Sequence, residues 1–361
     1  MGVEQGAHGV RAGEAVIVGA GVGGLAVAIG LRAAGWRVRV IEGRDRPERY
    51  GTAFGLHPTA QTALDRLGLG PAVRSGGVPY LRAGIRRPDG RVLAALPLER
   101  IARKAGRPEL LISRPRLIDL LVEALKDAGT EIEYGTRLTE AEVADLAARA
   151  DLLVGADGIN SRVRAAHIGA ASGPREIGTL AWIGIADIEV DAYGETWGDG
   201  RFFGVTPVEP GRTNWYATVP EGTGAEELDG LFGDWHDPVP RLLAATPAAA
   251  RIRYTMRHLY PPLPAFTRQD PGRAVALVGD AAHAMTPNLG QGACTALLDA
   301  EALTRSVAEH GADALPAALA AYDRERRGPA RRVAWGSRNL HRFVTRVPVP
   351  VRDGLVRLLP S

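Results

Sequence analysis

Residues 15–42 read AVIVGAGVGGLAVAIGLRAAGWRVRVIE, and their pattern sets the architecture of the chain. The apolar run Ala15–Val18 predicts a short buried strand, and the segment between Gly21 and Gly35 has the pattern of a helix. Arg37–Ile41 alternates polar and apolar residues, which predicts a second strand ending at Glu42. Strand, helix and strand in this order predict the opening of a parallel β-α-β unit.

The turn between the first strand and the helix carries a GxGxxG motif formed by Gly19, Gly21 and Gly24. Glycines at this spacing allow a tight turn, close approach of a pyrophosphate and close packing of helix on strand. Glu42, some 20 residues further on, would accept hydrogen bonds from ribose hydroxyls. The motif predicts a bound dinucleotide without separating NAD from FAD, and its position after a strand disfavours a merely glycine-rich turn.

A second motif, GADGINSRVR, occupies residues 155–164 and follows the apolar run Leu152–Val154. An Asp-Gly pair alone is most often a turn, but Asp157 is followed here by Ser161, Val163 and Arg164 in a longer and less accidental pattern. Asp157 ends a predicted buried strand, which is where open α/β sheets present their ligands.

The third motif, LVGDAAHAMTPNLGQG, occupies residues 277–292. It ends another buried strand in Gly279 and Asp280, whose carboxylate could accept bonds from a polyol. Pro287 then fixes the chain before a helix predicted from about Gly290 to Ala308. Backbone N–H groups at a helix N-terminus carry partial positive charge, so this end would stabilise an anion placed against it.

A block of alternating segments separates the second and third motifs and predicts antiparallel strands, in the order Trp182–Val190, Arg201–Val208, Asn214–Val219 and Arg251–Tyr260. Before the second motif, Tyr80–Leu96 has the pattern of a hairpin. Helices are predicted over Arg114–Asp127, Leu138–Ala150, Glu226–Ala245 and Ala314–Arg327. Because nucleotide-type segments flank the antiparallel block, the second domain is expected to be inserted into the first.

The composition excludes several classes of function. The chain has 361 residues, 45% apolar and 24% charged, with a net charge of +3, and no dense basic run points to nucleic acid. The single cysteine, Cys294, rules out an internal disulfide framework and suits a reducing cytoplasm, where the protein is expected to reside. No apolar run reaches the roughly 20 residues of a transmembrane helix, and the first dozen residues lack the apolar stretch of a signal peptide. No cluster has metal-ligand spacing, so no metal is expected.

Taken together, the three motifs resemble the single-component FAD-dependent aromatic-ring monooxygenases typified by p-hydroxybenzoate hydroxylase. The resemblance covers about residues 14–345. It implies an α/β fold in which a three-layer, Rossmann-like FAD-binding domain carries an inserted antiparallel β-sheet substrate domain. The implied FAD-binding domain is discontinuous (14–79, 98–178 and 262–345), the substrate domain comprises 80–97 and 179–261, and 346–361 form a C-terminal tail.

The resemblance also assigns roles to residues. Those implied to hold the ADP half of FAD are Gly19, Gly21, Gly24 and Glu42, with Arg44 compensating for Gly43 where relatives often carry a basic residue. Asp157 belongs to a motif shared by FAD and NAD(P)H, and Asp280 would bond the ribityl chain. Residues implied to contact the flavin ring, whose reduced form is anionic near N1, are Arg114, Pro287, Gly290, Gln291 and Gly292.

By the same resemblance, FAD would be bound tightly but non-covalently, with NADPH or NADH as transient co-substrate. A flavin C4a-hydroperoxide formed from O₂ would transfer one oxygen to a small aromatic or polycyclic substrate, by phenol hydroxylation first and epoxidation second. The alternatives are a non-oxygenating flavin reductase or dehydrogenase and a non-catalytic flavin-binding member. The composition, rich in Ala, Gly and Arg, suggests a bacterium with GC-rich coding sequences, in which enzymes of this kind often modify secondary metabolites. A monomer or homodimer is expected.

Few single residues stand out beyond the motifs. His283 could be taken for a base but is expected to cap and pack, and Cys294, within an Ala-rich helix, is expected in the core. Five aromatic residues lie on the antiparallel strands, and one or two of them are expected to touch substrate: Trp182, Phe202, Phe203, Trp215 and Tyr216. Tyr216 is the preferred catalytic candidate.

Overall fold

The structure, a computed structural model, describes residues 12–47, 53–169, 171–270 and 273–358, so the first eleven residues lie outside it. The strands within this part are β1 Glu14–Val18, β2 Arg37–Ile41, β3 Ala53–Leu56, β4 Val78–Tyr80, β5 Gly84–Arg86, β6 Val92–Ala95, β7 Glu109–Ser113, β8 Ile132–Glu133, β9 Leu152–Gly155, β10 Gly173–Ala186, β11 Gly194–Trp197, β12 Phe202–Glu209, β13 Arg212–Pro220, β14 Ile252–Tyr260, β15 Thr267–Asp270 and β16 Arg273–Leu277. The α-helices are α1 Val22–Ala33, α2 Pro58–Arg66, α3 Gly70–Gly76, α4 Leu98–Ala105, α5 Arg114–Asp127, α6 Glu140–Arg149, α7 Arg162–His167, α8 Leu228–Phe232, α9 Val239–Ala244, α10 Asp280–His283, α11 Gly292–His310, α12 Leu315–Arg346 and α13 Val349–Val356.

The first sheet has six strands in the order β15-β16-β9-β1-β2-β8. All its pairs are parallel except that of the edge strand β15. The register pairs Val18 with Ile41 and with Gly155, and Leu277 with Gly155. The carboxyl ends of β1, β2, β9 and β16 therefore meet at one edge, and the three sequence motifs follow these strands there.

A second, seven-stranded sheet has the order β14-β10-β13-β12-β11-β5-β6 and is antiparallel except for the β11–β5 pair. One face packs into a core that includes Phe203, Trp215 and Phe232. Residues of the opposite face, among them Asn214 and Tyr216, line a cavity. The predicted fold class, a Rossmann-like domain joined to an antiparallel sheet, is confirmed.

Several elements differ from the sequence expectation. The helix predicted to end at residue 327 continues as α12 to Arg346 although it contains Pro329, which cannot donate to the carbonyl four residues earlier. Its packing against α11 outweighs that lost bond. The single helix predicted over 226–245 is divided into α8 and α9 by Gly233 and Pro238.

The segment assigned to a C-terminal tail forms α13. Its buried Arg352 donates from Nη1 to the Gly198 carbonyl at 2.6 Å and from Nη2 to the Trp197 carbonyl at 3.2 Å. Leu355 and Val356 from the same helix line the cavity. Helix α13 therefore packs against the second sheet and lines the cavity, a placement that no motif within 346–361 indicates.

Candidate functional site

In the turn after β1, each glycine of the motif has a different steric environment. Gly19 has a left-handed φ of +108°, and a Cβ there would lie 2.3 Å from the Ala156 carbonyl oxygen. A Cβ on Gly24 would lie 2.0 Å from the Gly19 carbonyl oxygen. A Cβ on Gly21 would meet nothing within 4 Å, and Gly21 lines the cavity. Two glycines thus permit the turn, and the third leaves the cavity open where the helix begins.

Glu42 ties the glycine turn to the end of β2. Its carboxylate accepts hydrogen bonds from the Ala20 and Arg44 backbone N–H groups, both at 2.8 Å, and the residue is only 7% exposed. The Arg44 guanidinium lies 3.6 Å from the same carboxylate. Arg137 lies beside the end of β2 and donates to the Gly43 carbonyl at 3.3 Å. No sequence motif marks this residue, so the sequence alone does not predict it.

Asp157 caps α7, since its Oδ2 accepts from the Arg162 N–H at 2.7 Å and the Val163 N–H at 3.2 Å. Its Oδ1 is buried and has no partner among the described residues. Burial raises the pKa of this carboxyl, against the opposing effect of bonds from Ser161, Val163 and Arg162. An unsatisfied acceptor at the cavity wall is where a ligand donor fits.

Arg164 joins the second motif to the third. The buried guanidinium donates to the Ile159 carbonyl at 2.7 Å and to the Ala281 carbonyl at 3.1 Å. Since Ala281 follows Asp280, this one side chain fixes both strand ends relative to each other.

Beneath the third motif lies a buried charge cluster. The His283 Nε2 is 2.5 Å from Asp299 Oδ2, and Arg326 donates to Asp299 Oδ1 at 2.9 Å. Burial would raise the Asp299 pKa, but His283 and Arg326 hold it below its usual range. Asp299 also accepts from the Gly279 N–H at 3.1 Å, so His283 supports the turn from below and does not line the cavity, whereas Asp280 is exposed there.

The loop after α10 is held by α12. Pro287–Leu289 form a 3₁₀ turn, and the Ser337 hydroxyl donates to the Thr286 carbonyl at 2.5 Å and accepts from the Leu289 N–H at 3.3 Å. Gly290 has a left-handed φ of +64°, which delays the start of α11 from the expected residue 290 to Gly292.

The loop residues face different ways. Pro287, Gly290 and Gly292 line the cavity, but Gln291 is not among the lining residues. Its backbone carbonyl accepts from the Thr295 N–H at 2.9 Å as α11 begins. A Cβ on Gly292 would meet nothing within 4 Å, so this helix end is open to whatever the cavity holds.

Arg114 begins α5 and also lines the cavity. Its guanidinium carbon lies 5.2 Å from the centroid of the Phe54 ring, a cation–π arrangement. The Phe54 ring therefore packs against the positively charged guanidinium of Arg114 at the cavity wall.

A single cavity of about 1330 Å³ joins the ends of both sheets. This volume exceeds the range of about 300–1,000 Å³ that is usual for small-molecule pockets. A site that holds both a dinucleotide and a second ligand would need a volume of this size. Two of the five aromatic candidates, Phe202 and Tyr216, line it. The other three (Trp182, Phe203 and Trp215) belong to the core on the opposite face of the sheet.

Tyr216 donates from its hydroxyl to Glu195 Oε1 at 2.7 Å. Burial and the adjacent Glu195 raise the pKa of Tyr216 well above its ordinary value, so the phenol stays protonated at neutral pH. The sequence alone does not reveal Glu195 as a site residue, because its only sign there is that it is a polar residue within a short strand.

Cys294 lies in the core, and its thiol donates to the Gly55 carbonyl at 3.0 Å. Burial raises the pKa of this thiol to about 12. At pH 8 only roughly one molecule in ten thousand would carry the thiolate, the form that reacts. Iodoacetamide should therefore leave the native protein unlabelled over hours and label it rapidly in denaturant, as mass spectrometry would show. Rapid native labelling would contradict this placement.

Two other classes of site are not found in the described ranges. No group of three His, Cys, Asp or Glu side chains there could hold a metal ion. No described helix is both long and apolar enough to cross a membrane.

Comparisons with known proteins agree with this geometry. A family model described as an FAD binding domain matches residues 13–337. Aurachin C monooxygenase/isomerase from Stigmatella aurantiaca is 36% identical over 326 residues, covering 85% of this chain and 83% of that protein. The 6-hydroxynicotinate 3-monooxygenase of Pseudomonas fluorescens is 32% identical, covering 88% of each. The crystal structure of a Klebsiella pneumoniae HpxO variant complexed with FAD has a TM-score of 0.83 at 25% identity, covering 96% of this chain and 94% of that one.

Proposed function

This chain belongs to the family of FAD-dependent aromatic-ring monooxygenases, and from that premise we propose that it uses NADPH or NADH and O₂ to insert one oxygen atom into a small electron-rich aromatic or polycyclic substrate. Phenol hydroxylation is the first form of this proposal and epoxidation the second. The observation that carries it is the continuous cavity, with dinucleotide motifs at one end and the antiparallel sheet at the other.

The residues present fit FAD. Open space at Gly21 and Gly292, the unpaired Oδ1 of Asp157 and the exposed carboxylate of Asp280 all face the cavity. The residues proposed to hold the cofactor all line the cavity and are Gly19, Gly21, Gly24, Glu42, Arg44, Arg114, Asp157, Asp280, Pro287, Gly290 and Gly292. Gln291, also predicted, lies between two of them but does not itself line the cavity. Bound FAD would supply the redox chemistry, from hydride acceptance to oxygen activation.

The protein's own part is to bind, orient and exclude water. Apolar side chains from α12 and α13 (Leu340, Phe343, Leu355 and Val356) cover the sheet end of the cavity. A water-poor chamber protects a reactive oxygen donor and strengthens the polar contacts that orient substrate. Tyr216, the proposed catalytic residue, faces this chamber.

The test is aerobic NAD(P)H oxidation by the FAD-loaded enzyme against a panel of phenols and fused aromatics, with ¹⁸O₂ as oxygen source. A product carrying one ¹⁸O atom is expected. Nicotinamide oxidation with peroxide and no labelled product would favour the reductase or dehydrogenase alternative. A yellow protein that NAD(P)H never bleaches would favour the non-catalytic alternative.

The nicotinamide cofactor is proposed to bind transiently near Asp157, because only one GxGxxG motif follows a strand in this sequence. Asp157→Ala should slow flavin reduction roughly three- to tenfold as well as weakening FAD, since it removes the acceptor for the Arg162 and Val163 N–H groups at the start of α7. Asp157→Asn, which keeps an acceptor oxygen, should recover most of the rate. Stopped-flow reduction at saturating FAD measures both, and an unchanged alanine rate would count against the proposal.

A further inference from the structure

One row of residues crosses five strands on the cavity face of the second sheet. Backbone pairing sets Glu195 opposite both Ile85 and Gly204, Gly204 opposite Tyr216, and Tyr216 opposite Ile183. All but Gly204 line the cavity. The row thus places one carboxylate and one phenol between the apolar residues Ile85 and Ile183.

Gly204 is what brings these two polar groups together. A Cβ at this position would lie 1.9 Å from Cζ of Tyr216, so the ring lies over the space that a side chain would fill. Across that gap the Tyr216 hydroxyl reaches Glu195 Oε1 at 2.7 Å, while Trp197 Nε1 donates to Oε2 at 2.6 Å. Each carboxylate oxygen is held by one donor, and a carboxylate has about four acceptor positions, so acceptor capacity remains.

Within the part of the chain that the structure describes, this carboxylate is held by neutral donors and forms no ion pair. Trp197 and Tyr216 donate to it, and burial raises its pKa against these two bonds. The cavity's other carboxylate on this side, Glu109, has His57 Nδ1 at 3.3 Å. Burying an unpaired carboxylate is costly, and such costs are concentrated at ligand sites.

The other charged groups named nearby among the described residues make no hydrogen bond to Glu195. Burial raises the pKa of Tyr80, with Glu195 and Glu109 adding to the rise and Arg86 opposing it. Arg86 donates to the Tyr193 carbonyl at 2.9 Å. Burial and Asp280 raise the pKa of Tyr254, an effect opposed by Arg114 and Arg257, which both line the cavity. The hydrogen bonds that Glu195 accepts therefore come from Trp197 and Tyr216.

We propose that Glu195 is the specificity-determining residue of the substrate chamber: it accepts a hydrogen bond from an O–H or N–H group on a neutral aromatic substrate and excludes aromatic acids. This inference rests on the proposed function, whose chamber it describes. A donor on the substrate occupies an acceptor position of Glu195 that Tyr216 and Trp197 leave open, whereas a substrate carboxylate has no hydrogen to donate and would place its own acceptor oxygens against those of Glu195. The hydrogen bonds from Tyr216 and Trp197 fix the orientation of the Glu195 carboxylate.

The test compares 2-naphthol with 2-naphthoic acid, two probes that differ in carrying a hydroxyl or a carboxylate. Equilibrium dialysis against the FAD-loaded enzyme measures binding without turnover. Wild-type protein should bind the naphthol at least about tenfold more tightly than the naphthoate. Glu195→Gln, which keeps the shape but removes the charge, should weaken naphthol binding about tenfold and bring the two affinities within about threefold of each other.

Glu131→Gln, at an exposed position outside the cavity, is the matched control and should bind both probes as the wild type does. Flavin occupancy and circular dichroism verify that Glu195→Gln is folded, and Glu195→Asp should keep the preference for naphthol if occupancy falls in the glutamine variant. Equal affinities in the wild type, no naphthol binding, or an unchanged ratio in Glu195→Gln would overturn the inference. Because dialysis does not depend on oxidation, loss of the proposed activity with intact probe selection would refute only the proposed function.

Discussion

Glu42→Arg is expected to leave the purified enzyme with little bound FAD. The wild-type carboxylate accepts two backbone hydrogen bonds at 2.8 Å and fixes the glycine turn against the end of β2. Arginine removes these acceptors and adds a cation next to Arg44 at a position that is only 7% exposed. Losing a charge-assisted bond costs about 1.5–3 kcal/mol, which weakens FAD binding roughly 10- to 150-fold.

Flavin absorbance relative to protein absorbance, measured after gel filtration, gives the occupancy. Glu131→Arg makes the same charge change at an exposed position of the same domain and should retain wild-type occupancy. Glu42→Gln, which keeps one acceptor oxygen, should fall between the two. Wild-type occupancy in Glu42→Arg would refute the assignment of this end of the cavity to the ribose of FAD.

The elements that sequence alone anticipated are those with local causes. The helix predicted over 114–127 has those bounds in the structure because its start and stop signals lie within a few residues of its ends. These signals are the proline at N1/N2 and the Ala128-Gly129 turn. Three strands of the six-stranded sheet, β1, β9 and β16, likewise follow from apolar runs that lead into glycine. Where a local signal was overridden, as at Pro329 inside α12, tertiary packing against the preceding helix α11 decided the result.

The substrate end of the site could not be predicted in the same way. Glu195, Gly204 and Tyr216 are dispersed over three strands, and only the register of the sheet places them in one row. A one-residue shift in any strand would turn its side chain to the opposite face. The cofactor end lies in consecutive residues after each strand, so motifs reveal it; the substrate end is assembled across strands, so motifs do not.

The cofactor end also shows why its glycines are not interchangeable. At Gly24 an added Cβ would collide with backbone, so substitution there would disturb the fold itself. At Gly292 an added side chain would meet no protein atom within 4 Å and would enter the cavity. Position 292 is therefore suited to testing cofactor contacts without unfolding the protein.

Gly292→Val should lower the midpoint potential of the bound flavin and slow its reduction, even when FAD is supplied to saturation. Gly292 is the first residue of the 19-residue helix α11, whose free N–H groups give that end partial positive charge. In the proposed placement this end faces the flavin ring, where reduction adds negative charge near N1. Helix-terminal donors contribute about 0.3–2 kcal/mol to a nearby anion, which corresponds to roughly 5–45 mV for a two-electron couple. A valine side chain in the open space would move the ring away from these donors and remove part of that stabilisation.

Asp280→Ala separates this effect from simple cofactor retention. The Asp280 carboxylate is exposed in the cavity at the start of α10 and is proposed to bond the ribityl chain, so its loss should lower FAD affinity with little change in potential. Gly230→Val, at an exposed position of helix α8 where a Cβ also meets nothing within 4 Å, should leave both quantities unchanged. Redox titration of the three variants at saturating FAD distinguishes the two roles. If Gly292→Val holds FAD at the wild-type potential, the N-terminus of α11 does not face the ring, and the placement of the flavin in this cavity must be revised.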